Sequence, residues 1–297
     1  MKFFEKLLEK AKNKKIKTIV VAAAGDEDVI LAVEKARNVG IIKAILVGDE
    51  KKILEIFYKY KILVSDYEIL DYSDVETASE VATKIIHDGK GDILMKGFVD
   101  TSIILKAVLS NESNLRIEGN LLSHVAIFDI VNQPKIRLVT DAAMNIEPTL
   151  EEKKKILENT VQVAHLLEIP TPKVAVLCAK EKVSPKMQAT IDAEKLQKMN
   201  ESKEIENCIV VGPIALDGAI SKESALHKNM KGAIMGDADI LLVPNIESGN
   251  ILYKALTYFC ESESAGLIVG AKVPIVLTSR SDSDETKFNS ILLSTIF

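Results

Sequence analysis

The feature that most constrains this chain is a rhythm. Short β-rich apolar runs, each ending in Gly, Pro, Asn, Ser or Asp, alternate with segments whose apolar residues keep helical spacing. Lys17 to Ala23 (KTIVVAA) meets Gly25-Asp26, and a helix is predicted from Asp28 to Val39. Lys43 to Val47 stops at Gly48 and is followed by a helix from Glu50 to Tyr60. Tyr67 to Leu70 precedes a helix from Asp74 to His87, and Asp92 to Met95 runs into Lys96-Gly97. Parallel strands must be joined by crossovers, which are right-handed and carry helices. Repeated β-α units therefore predict an α/β fold with a mostly parallel sheet and helices on both faces.

The rhythm breaks once. Leu121 to Phe128 and Ile136 to Val139 read as strands joined by Asn132-Gln133-Pro134, a turn signal with no helix between them. Such a pair marks a seam between domains or a strand running antiparallel. Alternation resumes with a helix from Thr149 to Glu168, stopped by Ile169-Pro170-Thr171-Pro172. Strands follow at Lys173 to Cys178, Cys208 to Val211, Asp239 to Val243 and Pro274 to Leu277, and a last helix from Asp284 to Ile296. A chain of 297 residues has room for two such domains at roughly 150 residues each.

Several functions are disfavoured. A net charge of −5 and an aromatic content of 5% with no Trp lack the basic stripe and stacking platforms of a nucleic-acid binder. No apolar run reaches the roughly 18 residues that span a bilayer, and Lys2 to Ala11 reads as a surface helix, so no membrane partner is expected. Cys178, Cys208 and Cys260 are odd in number and far apart, which suggests neither a disulfide framework nor a zinc site and suits a cytoplasmic location. His87, His165 and His227 have no metal-ligand spacing, and no metal site is expected. The glycine-rich phosphate loops of ordinary NAD and ATP sites are absent.

In parallel α/β sheets ligands sit beyond the carboxyl ends of strands. The strongest such tip is Leu277 to Thr286, a strand end leading straight into a helix N-terminus. Free backbone N–H groups there favour an anion, and Arg280 adds a planar fork for phosphate oxygens. The alternative is that Ser281, Asp282 and Ser283 cap a helix while Arg280 pairs with a carboxylate. Composition favours the cradle: only four of the 38 basic residues are arginines (Arg37, Arg116, Arg137, Arg280), as if the guanidinium were kept where bidentate contact matters. Arg280 fits that idea best and Arg116 second.

A second tip, Pro244 to Asn250, offers Asn245, Ser248, Gly249 and Asn250 for an oxyanion, or simply a helix cap. A third, Lys96 to Ser102, offers the cation Lys96, Gly97 and the hydroxyls of Thr101 and Ser102; Lys96 is either a phosphate partner or a solvated lysine. Ser123-His124 is not read as a catalytic dyad, because neighbours on a strand point to opposite faces. Cys178 at a strand end is read as a buried small residue and not as a nucleophile.

These tips in combination resemble the phosphate acetyl/butyryltransferase family. The resemblance rests on Leu94-Met95-Lys96-Gly97, Leu121 to Ala126, Val139 to Ala143, Gly212-Pro213 with Leu216 to Ala219, Val243-Pro244-Asn245 through Gly249-Asn250, and Thr278-Ser279-Arg280, in order along nearly the whole chain. Lys96-Gly97, Leu121-Leu122-Ser123-His124 and Ser279 to Lys287 are similar to its butyryl branch. The resemblance implies two α/β domains of the isocitrate/isopropylmalate dehydrogenase type with the active site in the interdomain cleft. It places residues 1–134 plus 270–297 in the first domain and 135–269 in the second.

It also implies the reaction of acyl-CoA, in the butyryl branch butyryl-CoA, with phosphate to give acyl phosphate and coenzyme A, by direct attack. Coenzyme A is then a substrate, with no tightly bound cofactor, and a homodimer or larger homo-oligomer is expected. The roles implied are Arg280 as phosphate clamp and Ser279 as oxyanion donor, with Lys96, Gly97, Thr101, Ser102, Arg116, Asp141, Asp217, Asn245, Ser248, Gly249 and Asn250 toward phosphate and coenzyme A. The acetyl enzymes carry a catalytic Asp seven residues after that Ser; here the position is Thr286, and Glu285 or Asp282 stands nearest as base. The alternatives are an acetyl-CoA enzyme, a decarboxylating dehydrogenase of the same fold, and a non-catalytic acyl-CoA or phosphate binder.

Overall fold

The computed structural model describes residues 2–278 and 282–297. In chain order the elements are α1 (Phe3–Lys12), β1 (Lys17–Ala22), α2 (Glu27–Asn38), β2 (Ile42–Gly48), α3 (Glu50–Tyr60), β3 (Glu68–Asp71), α4 (Val75–His87), β4 (Ile93–Lys96) and α5 (Thr101–Leu109). Then come β5 (Ser123–Ile130), β6 (Arg137–Thr140), α6 (Leu150–Leu166), β7 (Lys173–Leu177), α7 (Gln188–Glu201), β8 (Ile209–Ile214), α8 (Leu216–Ile220), α9 (Lys222–His227), β9 (Ile240–Leu242) and α10 (Ile246–Phe259). The chain closes with β10 (Ser262–Val269), β11 (Ile275–Val276) and α11 (Asp284–Ser294). No helix among the described residues is long and apolar enough to cross a membrane.

Two compact units result: Met1–Asn120 with Glu263–Phe297, and Leu121–Ser262. The sequence expectation put the crossings at 134/135 and 269/270. The antiparallel pair β5 and β6 explains the difference at the first crossing: its ladder, from Val125 opposite Thr140 to Phe128 opposite Arg137, keeps both strands in one unit.

In the discontinuous unit the strand order is β3-β2-β1-β4-β11-β10. All neighbours are parallel except β10, which runs antiparallel to β11. Ile19, Val20, Val21, Leu46, Val47, Leu94, Met95 and Ile275 are fully buried, as continuous apolar strands covered on both faces must be. Helix starts are set by side-chain caps: Asp26 accepts from Val29 N, Asp74 from Thr77 N and Ser283 from Thr286 N. Every residue of α11 from Lys287 to Ser294 is buried, its polar members included.

In the contiguous unit the order is β5-β6-β9-β7-β8, parallel apart from β5. Its core joins Phe128, Val139, Ala175, Ile214, Leu241 and Tyr253. Thr149 opens α6 with a capping box closed by Glu152. A buried ion pair, Lys153 Nζ to Asp192 Oδ2 at 2.7 Å, ties α6 to α7, and Gln188 Nε2 donates to the other carboxylate oxygen at 2.8 Å.

Candidate functional site

In the discontinuous unit the carboxyl ends of β4, β1 and β11 lie side by side, because Met95 pairs with both Val21 and Val276. The tip after β4 is bonded to the tip after β1: Gly97 N donates to Ala22 O at 2.8 Å and Phe98 N to Ala23 O at 2.9 Å. The approach is so close that a Cβ on Gly97 would stand 2.4 Å from Ala23 O, which requires glycine there. Lys96 is buried, and its Nζ donates to Gly97 O at 3.3 Å and Val99 O at 3.2 Å. The solvated-lysine alternative therefore fails, and the ammonium is held inside the turn.

The same register brings the Lys96 tip beside the strand end that leads through Thr278 toward Arg280. Ser279, Arg280 and Ser281 lie outside the described residues. Past them, Glu285 is exposed and ion-paired with Lys35 at 2.6 Å. Thr286 takes part in hydrogen bonds with Ser264 and Ser283. Sequence reasoning missed Lys287, whose buried ammonium donates to Asp282 O at 2.5 Å and lies 3.5 Å from Asp28. Its place one turn inside α11, whose start reads as an anion site in the sequence, is the signal that could have found it. Thr101 and Ser102 form the first turn of α5, and Arg116 is exposed in a short bridge to Ala271.

In the contiguous unit the exits of the neighbouring strands β6 and β9 are locked together. Asp141, 3% exposed, accepts through Oδ1 from Ala143 N and Met144 N, each at 2.9 Å. Its Oδ2 accepts from His124 N at 3.1 Å and Asn145 Nδ2 at 2.6 Å. The turn it organises meets the start of α10: Ile246 N donates to Ile146 O at 2.9 Å and Asn250 Nδ2 to Ala142 O at 3.4 Å. Gly249 makes this contact feasible, since a Cβ there would lie 2.6 Å from Asp141 O. Asn245 caps the helix by accepting from Ser248 N at 3.1 Å.

Asp141, Asn245, Ser248, Gly249 and Asn250 are thus brought together, but the Asp141 carboxylate is spent on N–H groups of its own unit. Asp217 stands apart, after the edge strand β8; it is bonded to Lys228 Nζ at 2.7 Å, which holds its carboxyl below the usual range. Asn145 is a residue the sequence reading did not single out.

Ser123 and His124 are both buried in separate roles: Ser123 Oγ accepts from Asn159 Nδ2 at 2.9 Å, and the His124 ring packs edge-on against Tyr253. Cys178 is half-buried, and burial pushes its thiol up to about 11, far from the thiolate a nucleophile needs.

The family described as phosphate acetyl/butaryl transferase matches residues 2–84 and 74–295. The phosphate butyryltransferase of Clostridium beijerinckii is 46% identical over 99% of this chain and 97% of its own length. Among solved structures, a branched-chain phosphotransacylase from Enterococcus faecalis V583 superposes with a TM-score of 0.84 at 36% identity, covering 95% of this chain and 98% of that one. A 4-hydroxythreonine-4-phosphate dehydrogenase from Klebsiella pneumoniae shares the fold alone, with a TM-score of 0.59 at 9% identity over 94% and 98% of the two chains. The dehydrogenase-type α/β fold implied by the sequence is therefore present.

Proposed function

The chain belongs to the phosphate acetyl/butaryl transferase family, and from that premise we infer that it interconverts butyryl-CoA and inorganic phosphate with butyryl phosphate and coenzyme A. The observation that carries the reading is the full-length likeness to a phosphate butyryltransferase. A phosphate oxygen attacks the thioester carbonyl, a tetrahedral oxyanion forms, and its collapse expels the coenzyme A thiolate. The site must therefore hold a dianion and stabilise a second, developing charge.

The proposed division of labour gives Arg280 the phosphate and Ser279 the oxyanion. The buried Lys96 ammonium, at the end of the strand that pairs with β11, supplies positive potential. Thr101, Ser102 and Arg116 are assigned to the approach of phosphate or coenzyme A, as are Asp217, Asn245, Ser248, Gly249 and Asn250 in the other unit. Glu285 is the proposed proton partner of the thiol. It must exchange its pairing with Lys35 to act, since Thr286 at the family's Asp position has no carboxylate. Binding both substrates in line contributes much of the acceleration. The proposed location is the cytoplasm, which suits the free state of Cys178, Cys208 and Cys260.

The test is thiol release from butyryl-CoA with and without phosphate. Release that requires phosphate is expected. Release without it would indicate a hydrolase, and no release would favour a binding protein.

Self-association is part of the reading. One face of α10 leaves Ile251 69%, Tyr258 64% and Phe259 90% exposed, an apolar grouping of the kind that subunit contacts cover. We expect at least a dimer by sedimentation at micromolar concentration, and a shift to monomer in the Tyr258→Asp/Phe259→Asp variant. An unshifted oligomer would remove this face from the assembly.

A further inference from the structure

Asn145 lies in the turn that follows β6. Its Nδ2 donates to Leu122 O at 2.9 Å and to Asp141 Oδ2 at 2.6 Å. A side-chain amide has two N–H donors, so both are used and the orientation of the group is fixed. The nitrogen is committed to these two acceptors, which leaves the carbonyl oxygen Oδ1 as the unused end of the amide. Nothing among the described residues donates to Oδ1, and on this half-buried side chain it is not fully enclosed.

The base under this acceptor is rigid. Asp141 is itself held by three backbone N–H groups, Thr140 Oγ1 donates to His124 O at 2.8 Å, and the turn is joined to α10 through Ile146 O. Asn145 has therefore lost its rotamer freedom before any ligand arrives, which is the condition under which a single polar contact adds most to binding. Its place is the carboxyl end of the parallel pair β6 and β9, where sheets of this kind receive ligands.

A lone acceptor backed by a buried carboxylate disfavours phosphate and suits an N–H donor. The pantetheine arm of coenzyme A carries amide N–H groups. We propose that Asn145 Oδ1 accepts a hydrogen bond from a pantetheine amide of the acyl-CoA, with Asp141 as the positioning residue behind it. The assignment rests on acyl-CoA being the substrate, as proposed above.

The experiment compares two thioesters in the wild-type protein and in Asn145→Ala: S-butyryl-pantetheine, and ethyl thiobutyrate, which has the same reacting group and no amide. The variant is expected to lose about three- to tenfold in kcat/KM for the pantetheine thioester, the worth of one neutral hydrogen bond, while ethyl thiobutyrate and the KM for phosphate stay nearly unchanged. Equal losses on both thioesters would mean a merely structural role and overturn the proposal, as would a rise in phosphate KM with the ratio intact.

A check on the wild-type protein needs no variant. S-butyryl-pantetheine methylated at both amide nitrogens should lose at least the same factor, and an unaltered rate overturns the contact. Absence of phosphate-dependent turnover with butyryl-CoA itself would sink the functional reading, a separate result that does not depend on the arm.

Discussion

Replacing Arg280 by lysine is expected to lower kcat/KM by about 100-fold, equivalent to about 2.7 kcal/mol of lost transition-state stabilisation. Lysine keeps the charge and loses the fork. A point charge on a flexible stem holds a phosphate dianion without fixing which oxygen faces the thioester carbonyl, whereas two parallel N–H bonds define that direction. The loss should appear mainly in kcat if the clamp orients the nucleophile, and mainly in the KM for phosphate if it only collects the anion. Steady-state kinetics with phosphate varied at saturating butyryl-CoA distinguishes these. Unchanged rates would take Arg280 out of the mechanism.

Asp141→Ala is expected to destabilise the contiguous unit by about 3 kcal/mol, read as a lowered urea midpoint at unchanged slope. The carboxylate, on a residue 3% exposed, accepts from His124 N, Ala143 N, Met144 N and Asn145 Nδ2, and alanine leaves all these donors without it. Asp141→Asn should recover part of the loss, because its one remaining oxygen can serve one pair of donors while its amide nitrogen opposes the other. An alanine variant as stable as the parent would show that water or a shifted turn replaces the carboxylate at little cost.

The strands were legible because both faces of a parallel sheet are covered, which forces runs such as Lys17 to Ala23; the observed β1 is Lys17–Ala22. The antiparallel turn at Asn132-Gln133-Pro134 was legible for a local reason, its turn chemistry. β10 was not read as a strand: Ser262, Glu263, Ser264 and Gly266 interrupt its apolar pattern, and it is stabilised by partners distant in sequence, such as Ser290 Oγ on Gly266 N.

The same distinction runs through the site. The tips could be found because strand ends and helix starts have sequence signals. What each side chain does at its tip depended on backbone groups elsewhere in the chain. Asp141 looked like a ligand for phosphate or coenzyme A, and its oxygens turned out to be occupied by N–H groups from β5 and its own turn. Lys96 reads in sequence as a phosphate partner or a solvated side chain, and it is buried with its ammonium on Gly97 O and Val99 O, contacts that no local sequence signal announces.

The division of the chain into Leu121–Ser262 flanked by the two segments of the other unit sets an order on biosynthesis. A ribosome releases the whole of the central segment before it releases β11, the strand that must settle beside β4, and before the helix whose eight successive residues from Lys287 to Ser294 are all enclosed. Until they emerge, the nascent amino-terminal segment lacks the partners that cover the edge of β4 and one side of α2, an interval in which an unpaired strand edge is open to wrong pairing.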